Sequence, residues 1–527
     1  MTRRLDDFPS LLSGLRAAEG TALTFYRGRR REGQLTYPAL VDAVERLAGH
    51  LSGVWALRRG ERIAVLSHNR VEVPVLLLAA LRLGAAVVPL NPMANPETWT
   101  YAVSHSGVRL LFASAELAPA LPPSIAPVLP IDGLLDRAGG GVAEVDALDG
   151  EIGVILYTSG TTGEPKGVAL RQRSLIANAR SIARCFGLDR STQLAVLPLY
   201  HAHAFGFGLM TALATRGHLV LSERFDPFCW AEVIRAHAVT VTSVVPTLLP
   251  AVLEARAHRD KVPTLDAILV SSAPLGAPLA REFESRTGIP LVQGWGLSEY
   301  TNFACCLSPY LEPAARAELL CGDPELTSVG APLAGTEVRV VDSGGRTVGE
   351  GHRGELSVRG HSTMLSYLRD DEATRNVIDA DGWLRTGDEG LYRMHRGEPV
   401  FFVTGRLKEI IIRDGEKLSP LALERRLLAE LPELEGRLVV LGFPHRTHGE
   451  EVGAYLEGGP VSGELARRLF EIAGARVVLF GHAPIPRTHT GKVQRRRLVQ
   501  LFAEYADCRG PALVAAAGSA QDSSTIR

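Results

Sequence analysis

The stretch YTSGTTGEPKGV, residues 157–168, decides the fold that the sequence predicts. The residues before it, 152–157, are almost all apolar and predict a buried strand, and the apolar residues at helical spacing over 168–179 predict a helix. The loop between them offers glycine amides, hydroxyls and one ammonium, from Thr158, Ser159, Gly160, Thr161, Thr162, Gly163 and Lys166. A strand, a glycine-rich loop and a helix form a cradle for phosphate, because free backbone N–H groups and the helix N-terminus attract anions.

The spacing of this loop excludes the Walker form of a phosphate loop. Pro165 stands where that form needs its second glycine, and Gly167 stands where it needs a Ser or Thr to hold magnesium. A single short loop of this composition is also compatible with a solvated turn that binds nothing. The rest of the chain has to decide between the two interpretations.

Length, composition and charge indicate a soluble globular protein of more than one domain. The 527 residues exceed what one hydrophobic core usually serves, and a net charge of −1 favours neither nucleic acid nor an anionic membrane as a partner. The N-terminus lacks the apolar core of a signal peptide, and no apolar run is long enough to span a bilayer, so we expect a cytoplasmic protein. Six cysteines without CxxC spacing predict reduced thiols.

Helical and extended patterns alternate along most of the chain. A helical pattern covers 75–83, and extended patterns cover 86–90, 109–113, 193–197, 219–221, 239–245, 267–270 and 291–293. Strands that alternate with helices predict an α/β fold with a doubly wound, mainly parallel sheet. Ligands of such sheets bind beyond the carboxyl ends of the strands, which is where the glycine-rich loop leaves its strand.

Two further segments follow predicted strands. LPLYHAHAFGFG, residues 197–208, carries His201 and His203; the pair could bind a metal, but no third ligand is evident, so a polar pocket wall is favoured. QGWGLSEYT, residues 293–301, carries Glu299, a candidate magnesium ligand beside a triphosphate, and Trp295, on which a purine could stack. An ordinary surface carboxylate and a core Trp are the alternatives for these two residues.

Six motifs in one order resemble the adenylate-forming superfamily, which comprises acyl-CoA synthetases, peptide-synthetase adenylation domains and firefly luciferase. The motifs are YTSGTTGEPKG, LPLYHAHAFG, GWGLSE, RTGD at 385–388, GRLKEIIIRDGEKLSP at 405–420 and PRTHTGKVQRR at 486–496. The resemblance covers the chain from about residue 35 to about residue 501. It implies an enzyme that uses ATP and Mg²⁺ to form an acyl-adenylate from an acid and then transfers the acyl group to the thiol of CoA.

The resemblance also implies a role for each matching residue. The loop from Thr158 to Lys166 would hold the β- and γ-phosphates, Ser298 would lie beside the α-phosphate, and Glu299 would hold magnesium. Trp295, Gly296, Ser272 and Ala273 would line the adenine site, and Asp388 with Arg406 would bind the ribose. Lys492 would bridge the attacking carboxylate and the α-phosphate, where a fixed ammonium relieves the repulsion between two anions.

The family architecture implies a large N-terminal domain over residues 1–407 and a small, mobile α+β lid domain over 408–510. The lid would rotate at Lys408 between the adenylation and transfer steps. From residue 511 the sequence PALVAAAGSAQDSSTIR has no periodicity and predicts a disordered tail.

The sequence leaves the acid and the acceptor open. The pocket residues implied by the family are His201, His203, Phe205, Val245 and Asn302, a mixture that favours an aromatic or medium-sized acid. Ser271-Ser272 stands where relatives have a glycine-containing turn, and Ala422 stands where an acidic residue is usual near the thiol. The acceptor could therefore be a carrier-protein thiol or an amine instead of CoA, or the activated group could be an oxyanion such as nitrite. A non-catalytic nucleotide binder is disfavoured, because such a protein needs neither Lys492 nor Glu299.

Overall fold

The computed structural model describes residues 8–122, 125–139, 151–158, 164–255, 262–323, 326–488, 491–508 and 510–516. In chain order, the first part forms α1 (Phe8–Leu15), β1 (Thr21–Arg27), β2 (Arg30–Thr36), α2 (Tyr37–Gly53), β3 (Arg62–Leu66), α3 (Glu72–Arg82), β4 (Ala86–Leu90), α4 (Pro96–Ser106), β5 (Leu110–Ala113), β6 (Val128–Pro130) and α5 (Leu134–Arg137). The middle part forms β7 (Ile152–Thr158), β8 (Lys166–Arg171), α6 (Gln172–Cys185), β9 (Thr192–Ala195), α7 (Thr211–Thr215), β10 (His218–Ser222), α8 (Trp230–His237), β11 (Val241–Val244), α9 (Leu249–Glu254), β12 (Ala267–Val270), α10 (Ala277–Thr287), β13 (Leu291–Gly296), β14 (Phe303–Cys306), α11 (Pro313–Cys321), β15 (Ser328–Pro332), β16 (Thr336–Val341), β17 (Gly354–Gly360), β18 (Ser366–Tyr367), α12 (Asp371–Val377), β19 (Leu384–His395) and β20 (Glu398–Arg406). The last part forms β21 (Ile411–Arg413), β22 (Glu416–Leu418), α13 (Pro420–Glu430), β23 (Leu438–His445), β24 (Gly449–Glu457), α14 (Gly463–Ala473), β25 (Val477–Gly481), α15 (Arg495–Val499) and β26 (Ala512–Ala515).

Two large sheets organise the chain up to Arg406. One has 13 strands in the order β16-β17-β19-β20-β15-β14-β13-β12-β11-β9-β10-β1-β2, and the other has seven in the order β18-β8-β7-β4-β3-β5-β6. The run β1-β10-β9-β11-β12-β13 is parallel, which confirms the predicted doubly wound α/β fold. From β13 onward the larger sheet continues through antiparallel strands.

The parallel strands bring several chain segments to one edge of the larger sheet. β9, β11, β12 and β13 run in the same direction, so their carboxyl ends point the same way. The strands are short and almost wholly buried, as is usual for parallel strands inside a sheet. The segments that leave the carboxyl ends of these strands therefore collect at this edge, where the sequence predicted the ligand-binding segments to lie.

The prediction that a helix directly follows the glycine-rich loop is wrong about where the helix starts. Residues 166–171 form β8, which pairs antiparallel with β7, and Thr158 lies opposite Lys166. The helix, α6, begins only at Gln172. Val168 and Leu170 fit a strand period as well as a helical one, and pairing with both β7 and β18 decides for the strand. The loop is thus the connection of a hairpin.

Residues 411–516 form a separate sheet with its own cores. The order is β22-β21-β24-β25-β26, with β23 also paired to β24, and helices α13 and α14 pack on one face. A second apolar cluster around Phe443 and Phe502 covers the other face. The disordered tail predicted from residue 511 is wrong for its first residues, because β26 adds a parallel edge strand to β25. Residues 517–527 lie outside the described part of the chain.

Local sequence signals set the helix ends where they are clear. Asn95 caps α4 by accepting a hydrogen bond from Thr98 N at 2.9 Å, Pro96 follows it, and Gly107 ends the helix with a φ of 64°. Across the residues that the model describes, no helix is both long and apolar enough to cross a membrane.

Candidate active site

The described ends of the glycine-rich loop lie beside Glu299. Lys166 Nζ lies 3.9 Å from Asp370 Oδ2 and 4.7 Å from the centre of the Tyr367 ring. The hydroxyl of Tyr367 in turn donates a 2.9 Å hydrogen bond to Glu299 Oε1. Tyr367 therefore connects the predicted phosphate-binding lysine to the predicted magnesium ligand. Ser159, Gly160, Thr161, Thr162 and Gly163, which the sequence predicted to bind phosphate, lie outside the described residues.

Ser298 and Glu299 follow β13 in a short 3-10 turn that ends in a strained residue. Thr301 has a φ of 65° and is buried, which is unusual for a β-branched side chain. Its hydroxyl donates to Ser362 O at 2.7 Å, and this contact holds the turn in place. Gly296, just before the turn, tolerates no side chain, because a Cβ there would lie 1.7 Å from Asn302 O. Such backbone strain is typical of functional sites.

The site suits a magnesium ion that is bound partly by nucleotide phosphates. One oxygen of Glu299 is engaged by Tyr367, which leaves the other available to a cation. Within the described ranges no group of three or more acidic, His or Cys side chains could hold a metal alone. One protein carboxylate, completed by phosphate oxygens and water, is a common arrangement for Mg²⁺.

Asp388 and Arg406 form an ion pair across neighbouring strands. They are register partners on β19 and β20, and Arg406 Nε lies 2.6 Å from Asp388 Oδ1. Trp295 Nε1 donates to the other carboxylate oxygen at 2.9 Å. Asp388 is the largest cause that raises the pKa of Arg406, and only 4% of the Asp388 residue is exposed. Trp295 is itself buried and orients this carboxylate, while its stacking on adenine stays a prediction.

Lys492, from the last part of the chain, lies within the electrostatic influence of this ion pair. Burial is the largest cause that lowers the pKa of Lys492, and the nearby Arg406 lowers it further, whereas Asp388 and Glu409 act in the opposite direction. The neighbouring Gly491 has a φ of 80°, and a Cβ there would lie 3.0 Å from Thr247 Oγ1. The turn before Lys492 therefore packs against the residues that follow β11.

Arg495 and Ser419 attach the small sheet to β20 and to the turn that follows it. Arg495 binds Glu409 at 3.0 Å and Glu424 at 2.6 Å, and Ser419 Oγ donates to Thr404 O. Lys408, the predicted hinge, is exposed on a short 3-10 turn over Leu407–Glu409. The large sheet ends with β20 and the small sheet begins with β21, while the domain boundary after residue 407 and the rotation at Lys408 stay predictions.

The predicted acid pocket is mostly buried. Phe205 and Val245 are 3% and 5% exposed, and His203, at 6%, packs edge-on against Phe303. Asn302 lies against Gly206, where a Cβ would come within 2.6 Å of Nδ2. His201 lies one residue from Tyr200, and their ring centres are 4.5 Å apart.

His203 is held as a neutral imidazole by its surroundings. Burial lowers the pKa of His203 to about 3, so the ring is uncharged at neutral pH. Its Nδ1 lies 3.1 Å from Ser271 Oγ and 3.2 Å from Ser272 Oγ. Ser272 has a φ of 70°, a left-handed conformation, at the turn where the sequence departs from the glycine of relatives. Ala273 follows it and is half-buried.

Sequence reasoning did not predict the contacts that three residues make in this site. Tyr367 connects Lys166 to Glu299, Thr247 receives the Lys492 turn, and Ser271 orients His203. All three belong to segments without a motif. Only the position of Ser271 and Thr247 just after predicted strands gave any signal.

The fold and this arrangement of residues define an adenylate-forming enzyme. A family model described as "AMP-binding enzyme" matches residues 15–368, and the chain belongs to that family. It is 32% identical over 504 residues to a 4-coumarate–CoA ligase-like protein 6 of Oryza sativa subsp. japonica, covering 88% of this chain and 82% of the relative. It is 31% identical over 489 residues to a sulfoacetate–CoA ligase of Cupriavidus necator, covering 88% and 92%.

Solved structures show the same architecture. The o-succinylbenzoate CoA synthetase MenE of Bacillus subtilis, in complex with ATP and a magnesium ion, superposes with a TM-score of 0.80 at 26% identity, covering 93% of this chain and 99% of that one. ATP-bound MatB of Rhodopseudomonas palustris gives a TM-score of 0.83 at 24% identity, covering 95% and 100%. The prediction of an ATP-dependent, AMP-forming acid–CoA ligase is confirmed.

Proposed function

We propose that the chain joins an aromatic or medium-sized acid to CoA and that Lys492, Glu299, Asp388 and Arg406 carry the adenylation step. The observation that supports this most strongly is that Lys492, from the last part of the chain, lies close enough to the Asp388–Arg406 pair on β19 and β20 for both charges to act on its pKa.

In the first step a carboxylate oxygen attacks the α-phosphorus of ATP, and the bond to pyrophosphate breaks. Both partners are anions, so the reaction depends on fixed positive charge where charge accumulates. Lys492 supplies that charge on the side of the incoming acid. Lys166 binds the β- and γ-phosphates, Ser298 lies beside the α-phosphate, and Glu299 would hold Mg²⁺, which neutralises the departing pyrophosphate.

In the second step the CoA thiol attacks the acyl carbon, and AMP leaves. Asp388 and Arg406 retain the nucleotide through the ribose during both steps. Ala422 N donates a 3.3 Å hydrogen bond to Ser419 Oγ, so the helix near the expected thiol entrance is capped normally without the usual acidic residue. A carrier-protein thiol, an amine acceptor, an oxyanion substrate and a cytoplasmic location stay predictions.

The pocket favours an acid that carries a second hydrogen-bond acceptor. His203 Nε2 and Asn302 Nδ2 are buried and have no hydrogen-bond partner among the described residues. If the serine hydroxyls donate to Nδ1, the proton of the neutral ring lies on Nε2, and the pocket presents two donors. Buried donors without partners are costly, and a ligand acceptor relieves that cost. Relatives are named for coumarate-like, sulfoacetate and oxalate substrates.

Pyrophosphate exchange over a panel of acids tests this proposal. The panel pairs aromatic and aliphatic acids with and without a distal hydroxyl, carbonyl or carboxylate, and thioester formation is followed after CoA is added. We expect the acid with the distal acceptor to have a kcat/KM at least about tenfold higher than its partner in the pair. An acid without that acceptor leaves the buried donors of the pocket unpaired.

Asn302→Leu is the variant that links the preference to the pocket, and Asn376→Leu, at an exposed position on α12, serves as a matched control. We expect Asn302→Leu to reduce the preference within each pair and Asn376→Leu to leave it unchanged. An equal kcat/KM within every pair would contradict the proposed acid class. An adenylate that accumulates in the presence of CoA would contradict the acceptor.

A further inference from the structure

A second cavity, of about 360 Å³, lies at the ends of α6 and β14. Its wall includes Cys185, Cys306, Arg184, Arg396 and His395, together with leucine side chains from the loop after β14. None of these residues belongs to the adenylation site proposed above. The cavity therefore needs an explanation of its own.

Two thiols meet in this cavity. Cys185 is the last residue of α6, Cys306 is the last residue of β14, and the two side chains share a hydrogen bond. Both are free cysteines. Cys305 belongs to the opposite face of β14, because alternate residues of a strand point to opposite sides. Of these two neighbouring cysteines of β14, Cys306 is the one that lines the cavity together with Cys185.

The backbone on both sides of the pair is already fixed. Tyr310 OH donates to Phe186 O at 2.7 Å at the end of α6, and Asn178 Nδ2 donates to Phe303 O at 2.9 Å from α6 to β14. Gly330 packs so closely that a Cβ there would lie 2.1 Å from the Cys306 carbonyl. A disulfide is about 2.05 Å long and demands close, well-oriented Cβ atoms, so a bond between the sulfurs has to form by side-chain rotation within this fixed backbone.

The two thiols differ in pKa and in burial, as a stepwise oxidation requires of its two cysteines. The hydrogen bond with Cys306 lowers the pKa of Cys185, whereas burial raises the pKa of Cys306. Cys185 is half-buried and Cys306 is fully buried. Arg184, Arg396 and Glu398 line the same wall of the cavity. Cys185 is the nucleophile of such a pair, and Cys306 is the thiol that resolves it.

We propose that Cys185 and Cys306 form a reversible oxidation site that a hydroperoxide converts into a disulfide. The Cys185 thiolate attacks the peroxide oxygen, which gives a sulfenic acid and, after protonation, releases water or an alcohol. The Cys306 sulfur then attacks the sulfenic sulfur, the S–S bond forms, and a second molecule of water leaves. Two thiols lose two electrons and two protons, and the peroxide takes up both. A thiol reductant reverses the reaction.

This site is placed to affect both halves of the adenylation site. α6 follows the hairpin that carries Lys166, and β14 follows the turn that carries Ser298 and Glu299. β14 also pairs with β13, where Cys306 lies opposite Gly294, next to Trp295. A disulfide would tie these two elements together at their ends.

The test treats the reduced full-length protein with hydrogen peroxide and maps the products by mass spectrometry of proteolytic peptides. We expect two thiols to be lost together, a peptide pair linked through Cys185 and Cys306, and full recovery with dithiothreitol. Cys185→Ser should not form the link, and Cys321→Ser, the control at another half-buried cysteine, should form it as the natural chain does.

Cys306→Ser should likewise not form the link. If this variant at a buried position does not fold, Cys185→Ser alone decides the test. Linkage between any other cysteines would overturn the proposal. So would retention of both thiols under peroxide, or a loss of thiols that is equal in Cys185→Ser and in the natural chain.

Discussion

At the scale of single residues, the site depends on side chains held in positions that they would not adopt alone. Ser272 and Thr301 have φ values of 70° and 65°, just beyond the carboxyl ends of β12 and β13. Left-handed backbone costs a residue with a side chain about 1–2 kcal/mol, so surrounding contacts have to maintain it. The Ser272 hydroxyl at His203 and the Thr301 hydroxyl at Ser362 O are such contacts.

Ser272→Gly tests whether this strain is stored at the adenine turn. Glycine adopts the left-handed region freely, so we expect Ser272→Gly to be more stable than Ser272→Ala by about 1 kcal/mol. Both variants lose the hydroxyl contact to His203, so the difference between their free energies of unfolding reports the cost of the left-handed backbone. Thermal unfolding measures it, and a glycine variant no more stable than the alanine variant would contradict the observed backbone conformation.

The protonation of Lys492 predicts how the kcat/KM for pyrophosphate exchange depends on pH on the alkaline side. Burial and Arg406 lower the pKa of Lys492 below its ordinary value of 10.5, and catalysis needs the protonated form. The kcat/KM for exchange should therefore fall as the pH rises through this lowered pKa. Arg406→Gln removes a cation and should move the fall to higher pH, whereas Glu409→Gln removes an anion and should move it to lower pH. Profiles that do not shift in opposite directions would argue against Lys492 as the titrating group.

At the scale of elements, the sequence predicted a strand correctly where the spacing of its apolar residues fitted only one type of secondary structure. β4 and β12 have the predicted bounds, because short apolar runs between turn residues leave no alternative. β8 was predicted as helix because its apolar residues satisfy both periods, and only its pairing partners decide. β26 was predicted as disordered because ALVA in a stretch of small residues lacks a strong pattern, and the exposed edge of β25 supplies the missing partner.

Two truncations test the role of β26. A chain that ends after residue 510 loses the pairing with β25 and the packing of Val514 on the small sheet. We expect its midpoint of thermal unfolding to fall by about 2–6 °C, from a loss of about 1–2 kcal/mol. A chain that ends after residue 516 keeps β26 and should melt as the full chain does. Equal midpoints for the two truncations would show that the strand contributes nothing.

At the scale of the whole molecule, motif order predicted the family, and the alternation of strands and helices predicted the parallel half of the large sheet. Neither predicted the antiparallel half, from β14 to β20, which brings Asp388 beside Trp295. Contacts such as Tyr367 to Glu299 and Gly491 to Thr247 join segments that are distant in sequence. No local pattern encodes them, because they arise only when the sheets pack together.

The most direct test of the account measures both half-reactions of Lys492→Ala separately. Pyrophosphate exchange reports adenylation, and CoA consumption with a supplied acyl-adenylate reports transfer. Removal of a charge that acts in one transition state should slow exchange by about a thousandfold and leave nucleotide affinity within about tenfold. Transfer should also stay within about tenfold, because that step does not bring an anion to the phosphate. Unchanged exchange, or an equal loss in both half-reactions, would contradict the role assigned to Lys492.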